Sequence, residues 1–134
     1  MIGVDIVSLR KIKLALFETP QIIDIILHKN EKKSSVDAKF IAGRFAGKEA
    51  LLKMGCAIST PLLFSKVELI PRESKGIIVK INEIQCDIGV SISHDEDYVV
   101  AVAVNSKVNI CKYENCKTIY SGERQKNQAE EYVE

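Results

Sequence analysis

The chain is predicted to fold as one α+β domain, with a long central helix packed on an antiparallel sheet. Three observations point there. Apolar residues recur at helical spacing through the first half and at period two through the second. The strand-like runs of the second half come in pairs joined by short connections, as antiparallel neighbours do. A length of 134 residues suits one hydrophobic core and not two. Helices first and strands after is the α+β order.

Residues 3–7, within "IGVDIV", read as a short buried strand. "SLRKIKLALF" follows as a helix, with Ser8 as N-cap and Leu9, Ile12, Leu16 and Phe17 near helical spacing. Pro20 interrupts it and suits the first turn of a second helix over 22–28. "KNEKKSS" is read as a polar loop, and His28 beside it as a surface residue. Ser34 or Ser35 is the expected cap of the long helix, 36–54, with Gly55 ending it. Strands are expected at 66–70 and 76–81, around "PRESK", and at 89–93 and 98–104, around "HDED". Residues 105–134 are expected to add a strand at 107–111 and then a polar, mobile extension, leaving 1–104 as the domain proper.

Composition narrows the class. Hydrophobic residues make up 46% and charged residues 28%, as in a soluble globular domain. No apolar run approaches a membrane span, and no targeting segment is visible at "MIGVDIV", so a cytoplasmic protein is expected. Cys56, Cys86, Cys111 and Cys116 are too scattered for a disulfide framework or a four-ligand zinc site and are read as reduced thiols. Residues 1–53 hold ten Lys/Arg against six Asp/Glu, whereas residues 82–134 hold five against ten. A basic N-terminal section favours an anionic partner. Nucleic acid is disfavoured, because there is no Lys/Arg stripe interleaved with aromatic residues.

The long helix raises the functional question. With Arg44 at zero on a helical wheel, Ala42, Gly43, Ala46, Gly47 and Ala50 fall between about 160° and 300°. That face of small side chains admits another backbone closely. Glu49 and Lys53 stack at i,i+4 on its border and suit a surface ion pair or a functional site equally. Arg44 and Lys48 form a second i,i+4 pair, and two like charges there repel unless an anion sits with them. "GRFAGK" is not a phosphate loop: three residues separate Gly43 from Gly47, and Glu49 follows Lys48 where Ser or Thr is needed.

Three motifs in order, "GVDIV", "GRFAGKEALLKMG" and "SISHDEDYVVAVAV", resemble the holo-acyl-carrier-protein synthase family, the short-type 4′-phosphopantetheinyl transferases. The resemblance runs from Met1 to about Val104. It implies an enzyme of lipid metabolism, supplying fatty acid biosynthesis, that moves 4′-phosphopantetheine from coenzyme A to a serine of apo-acyl-carrier protein. The by-product is adenosine 3′,5′-bisphosphate, the cofactor is Mg²⁺, and the assembly is a homotrimer with coenzyme A between subunits. No nucleic acid and no membrane enters. On this resemblance Asp5 and Glu49 are metal ligands and catalytic residues, and Lys53 faces the pyrophosphate. Lys53 and Gly55 bind coenzyme A, Arg44 and Lys48 contact its phosphates or the subunit interface, and His94 reaches its nucleotide from an adjacent subunit, while Arg10, Lys11 and Lys13 dock the acidic carrier. Glu49 takes the serine proton directly or through a water on the metal; the residues do not choose between these routes. Two departures stand out: Lys11 replaces the usual arginine, and Cys56-Ala57 follows Gly55 where the family has Thr-Gly. A catalytically silent module of the same fold, binding coenzyme A or a carrier protein, is the alternative reading.

Overall fold

A computed structural model of the chain describes residues 1–33, 36–55, 63–73 and 76–105. Strand β1 (Ile2–Ser8) leads into α1 (Leu9–Glu18), and Ser8 caps it by accepting from the Lys11 N–H at 3.4 Å. A short α2 (Ile22–Ile26) and a 3₁₀ turn at Glu31–Lys33 precede the long α3 (Ala38–Lys53). A second 3₁₀ turn (Phe64–Lys66) opens the strands β2 (Val67–Arg72), β3 (Gly76–Ile81), β4 (Ile84–Cys86), β5 (Ile88–His94) and β6 (Tyr98–Asn105). No helix among the described residues is long and apolar enough to cross a membrane.

The strands form two antiparallel sheets, ordered β1-β6-β5 and β2-β3-β4. In the first, Gly3, Asp5 and Val7 stand opposite Ala103, Ala101 and Val99, and Val90, Ile92 and His94 continue the rows on β5. Strand alternation puts these residues on one face, and α3 packs there. The expectation of a close-packed helix face holds. A Cβ added to Gly3 would lie 1.9 Å from the Ala50 carbonyl oxygen, so helix and strand touch backbone to backbone. Gly47 instead makes room for side chains: a Cβ there would lie 2.6 Å from Leu69 Cδ1 and 3.4 Å from Ile92 Cδ1. Ala42, Ala46, Ala50 and Leu51 on α3 are fully buried against Val99, Ala101 and Ala103 of β6. Of these, Leu51 and Val99 each contribute about 2 kcal/mol on burial.

Several boundaries differ from expectation for physical reasons. Asp37, not a serine, caps α3: its backbone is extended and its carboxylate accepts from the Phe40 N–H at 2.7 Å. Gly55 ends the helix as expected, at φ 93°. The second helix stops at Ile26 because Leu27 is already extended, which turns His28 inward. His28 is buried, at 3% exposure, and not the surface residue expected. Strand β4 was not anticipated. Asn82 and Glu83 make the two-residue turn into it with φ of 51° and 68°, the geometry that Asn-Gly usually announces. Pro71 lies within β2, tolerated because β2 is an edge strand. The strand expected at 107–111, the polar extension, Ser34, Ser35, Ala57 and the cysteines 56, 111 and 116 lie outside the described residues.

Candidate active site

Three groups of charged residues sit around α3. The first surrounds a cleft of about 520 Å³ between β1, α1 and the C-terminal half of α3. Asp5, Ser8 and Lys11 line it together with Phe45, Glu49 and Tyr98, which pairs with Ser8 across the sheet. Alternation along β1 turns Asp5 inward, with its side chain only 11% exposed. Its carboxylate accepts from the Lys53 ammonium at 2.7 Å. That contact raises the Lys53 pKa above its ordinary value, through the hydrogen bond and the Asp5 charge, with a smaller contribution from Glu49. The simple surface reading of Lys53 as the i,i+4 partner of Glu49 is therefore displaced. Lys53 reaches across to β1, and Glu49 is left lining the cleft.

Arg10, Lys11 and Lys13 are exposed on α1. Lys11 is the one of the three that also enters the cleft. Leu14 and Phe17 on the same helix are exposed too, at 55% and 85%. The basic helix and the acidic pocket thus share an edge.

The second group lies toward the N-terminal half of α3, in a cleft of about 390 Å³ holding Lys39, Phe40, Arg44, Ile92 and His94. The Arg44 guanidinium stacks on the Phe40 ring, 4.2 Å from its centroid. His94, at the end of β5, joins it from the sheet. Arg44 and His94, far apart in sequence, thus line one cleft of the same chain.

The third group is buried, and it corrects the role expected of Lys48. That side chain is fully buried and reaches neither cleft. Its ammonium donates to Glu31 Oε1 at 2.5 Å, to the Ile26 carbonyl at 2.6 Å and to the Phe64 carbonyl at 3.0 Å. Three oxygens satisfy its three hydrogens, so it does not hold a phosphate. Burial pulls its pKa down and Glu31 pulls it back up. The anion demanded by the Arg44–Lys48 repulsion is the Glu31 carboxylate: Oε2 lies 3.3 Å from Arg44 Nε. Sequence reasoning passed over Glu31 as part of a polar loop. The unpaired i,i+4 cations were the signal that a buried acid was needed.

Beside this network, donor atoms of His28, Glu68 and Glu83 lie within 4.8 Å of one another. The hydrogen bonds argue against a metal there. His28 Nδ1 accepts from the Asn30 N–H at 3.1 Å, so Nε2 carries the ring hydrogen and gives it to Glu83 at 2.9 Å. A ligating imidazole ordinarily donates its other nitrogen's hydrogen outward. Asp5 and Glu49 both line the first cleft, where the Asp5 carboxylate accepts from an ammonium.

Residues 1–103 match the model of the 4′-phosphopantetheinyl transferase superfamily. A holo-[acyl-carrier-protein] synthase of Geobacillus sp. (strain WCH70) is 34% identical over 115 residues, covering 81% of this chain and 97% of that protein. Among solved structures, a Bacillus anthracis holo-(acyl-carrier-protein) synthase in complex with CoA (3′,5′-ADP) superposes with a TM-score of 0.58 at 28% identity. It covers 76% of this chain and 91% of its own. The Helicobacter pylori holo-[acyl-carrier-protein] synthase in complex with coenzyme A gives 0.61 at 26% identity, covering 78% and 98%.

Proposed function

The chain belongs to the 4′-phosphopantetheinyl transferase superfamily, and from that premise we propose that it is a holo-acyl-carrier-protein synthase. It transfers 4′-phosphopantetheine from coenzyme A to a serine hydroxyl of apo-acyl-carrier protein and releases adenosine 3′,5′-bisphosphate. The observation that carries this reading is the Asp5–Lys53 contact in a cleft that Glu49 also lines, beside an exposed basic helix.

The serine oxygen attacks the pantetheine-side phosphorus of the coenzyme A pyrophosphate. One P–O bond forms to serine while the bridging P–O bond breaks, and its electron pair leaves on the bisphosphate. Charge on the leaving group must be neutralised more than covalent help supplied. Lys53, half-exposed and bonded to Asp5 of the cleft, is the cation suited to do so. Glu49 is an acceptor within the cleft for the serine proton. Asp5 and Glu49 would hold Mg²⁺, which when bound neutralises phosphate oxygens that would otherwise repel the nucleophile. Arg44 and His94, in their shared cleft, suit the nucleotide phosphates of coenzyme A. Gly55 ends α3 at φ 93°, a conformation that suits glycine, and brings no side chain of its own to that end of the helix. Arg10, Lys11 and Lys13 offer the acidic carrier a docking face.

A homotrimer is part of the proposal. The outer face of β1-β6-β5 exposes Ile2, Val4 and Ile6 at 66%, 51% and 63%, with Val100 and Val102 beside them. An apolar face of this kind favours association. Sedimentation should give three times the chain mass; a monomer at micromolar concentration would remove the trimer.

The deciding experiment is the intact mass of apo-acyl-carrier protein after incubation with this protein, coenzyme A and Mg²⁺, with EDTA as control. A metal-dependent gain of one phosphopantetheine is expected. No gain with several carriers, despite coenzyme A binding, would favour the silent binding module.

A further inference from the structure

Glu31 contacts neither proposed substrate, yet it is the most heavily engaged acid among the described residues. Its side chain is 3% exposed. Oε1 accepts from the Lys48 ammonium and from the His28 N–H at 2.8 Å. Oε2 accepts from the Leu69 N–H at 3.2 Å and faces Arg44 Nε. The carboxylate is thereby fixed from three directions: the α2–α3 connection, β2 and α3. A group held this firmly is a reference point for anything attached to it.

Its two cationic partners have different fates. Lys48 spends its remaining hydrogens on carbonyls and is sealed in. Arg44 meets Glu31 as an ion pair, Nε 3.3 Å from Oε2 and without hydrogen-bond geometry, and its plane is stacked by Phe40. Among the described residues no other ion pair engages it. One carboxylate between two cations leaves an excess positive charge, and Arg44 presents it to the cleft shared with His94.

We propose that Glu31 is a positioning residue for the phosphate-bearing end of coenzyme A, acting through Arg44. Its charge holds the guanidinium by ion pairing while Phe40 fixes the plane, so that the terminal nitrogens are turned toward phosphate oxygens in the Phe40–His94 cleft. The inference rests on the assignment of that cleft to coenzyme A. Without Glu31, Arg44 keeps its charge but loses its orientation, and planar recognition depends on orientation.

The test is coenzyme A affinity by titration calorimetry, with KM for coenzyme A and for carrier protein measured separately. Arg44→Gln should weaken coenzyme A about tenfold or more, the loss of a charged hydrogen bond. Glu31→Gln should weaken it by a similar factor, raise the KM for coenzyme A alone, and add little to Arg44→Gln in the double variant. Because Glu31→Gln strands the buried Lys48 charge, Glu31→Gln with Lys48→Met keeps the test open if the single variant misfolds. Folded protein of that pair with wild-type affinity overturns the proposal, since a purely structural Glu31 predicts that result. Additive losses in the double variant overturn it as well, by showing that Glu31 does not act through Arg44. Unchanged affinity in Arg44→Gln overturns the cleft assignment itself, and the proposal with it.

Discussion

Replacing Gly3 with alanine tests how the site is held together. The new methyl carbon would sit 1.9 Å from the Ala50 carbonyl oxygen and 2.7 Å from the Met54 nitrogen. Both are backbone atoms, and that carbonyl accepts the Met54 N–H that closes the last turn of α3. Ordinary contact requires 3.4 Å or more, so β1 and α3 must separate by roughly 1.5 Å, and overpacking without a flexible neighbour lies at the high end of its usual cost. A loss of about 3 kcal/mol follows, which lowers Tm by about 12 °C for a domain of this size. The same separation pulls Asp5 on β1 away from Lys53 on α3, whose contact is 2.7 Å. Misplacement on the order of 1 Å can cost about a hundredfold in rate. The assay is Tm by calorimetry together with phosphopantetheine transfer. Gly43→Ala is the control, because its Cβ would meet only the Ile92 side chain at 3.6 Å. It should leave Tm unchanged or raised by up to about 1 kcal/mol in stability through helix propensity. If Gly3→Ala behaves like Gly43→Ala in both assays, the close-packing account of the site is refuted.

Three further outcomes are expected. Glu49→Gln should fold normally, with Tm within about 2 °C of the original, and lose most transfer activity; unchanged turnover would remove Glu49 from the chemistry. Reversing charge at Arg10 and Lys13 should raise the KM for carrier protein and leave coenzyme A affinity alone, whereas equal weakening of both would count against docking. The hydrogen bond from His28 holds the Glu83 carboxyl below its ordinary 4.5, so this pair stabilises the fold above about that pH. The contribution is lost as pH falls through the lowered value. Glu83→Gln should therefore start from a lower Tm at neutral pH and show a shallower decline between pH 5 and pH 3; superimposable curves would exclude the linkage.

The long helix was readable because its small residues repeat at helical spacing and admit only a close neighbour, and Gly3 proves to be that neighbour's contact point. The strands at 76–81 and 98–104, each with its own hairpin partner, were readable from alternation. Other features were hidden by ambiguity in the residues themselves. Ser34, Ser35 and Asp37 are all good caps, and sequence offers no means of ranking them. Glu83 stands where glycine would have announced the β3–β4 turn, and its bond to His28 supplies a reason for an unfavourable φ. Lys48 was misread because its partner Glu31 is 17 residues away in a stretch of uniformly polar appearance. Charge pairing across such a gap leaves no local pattern, only an imbalance on the helix that an unseen acid must resolve.

Strand β1 carries two messages interleaved in one reading frame. Odd positions Gly3, Asp5 and Val7 address the helix; even positions Ile2, Val4 and Ile6 address the exterior. A single inserted residue within it would exchange the two sets downstream, turning the aspartate out to water and isoleucine in toward Glu49. The Asp5–Lys53 contact and the apolar outer face therefore cannot drift independently over these seven residues. An insertion that damages one is expected to be inherited by the other.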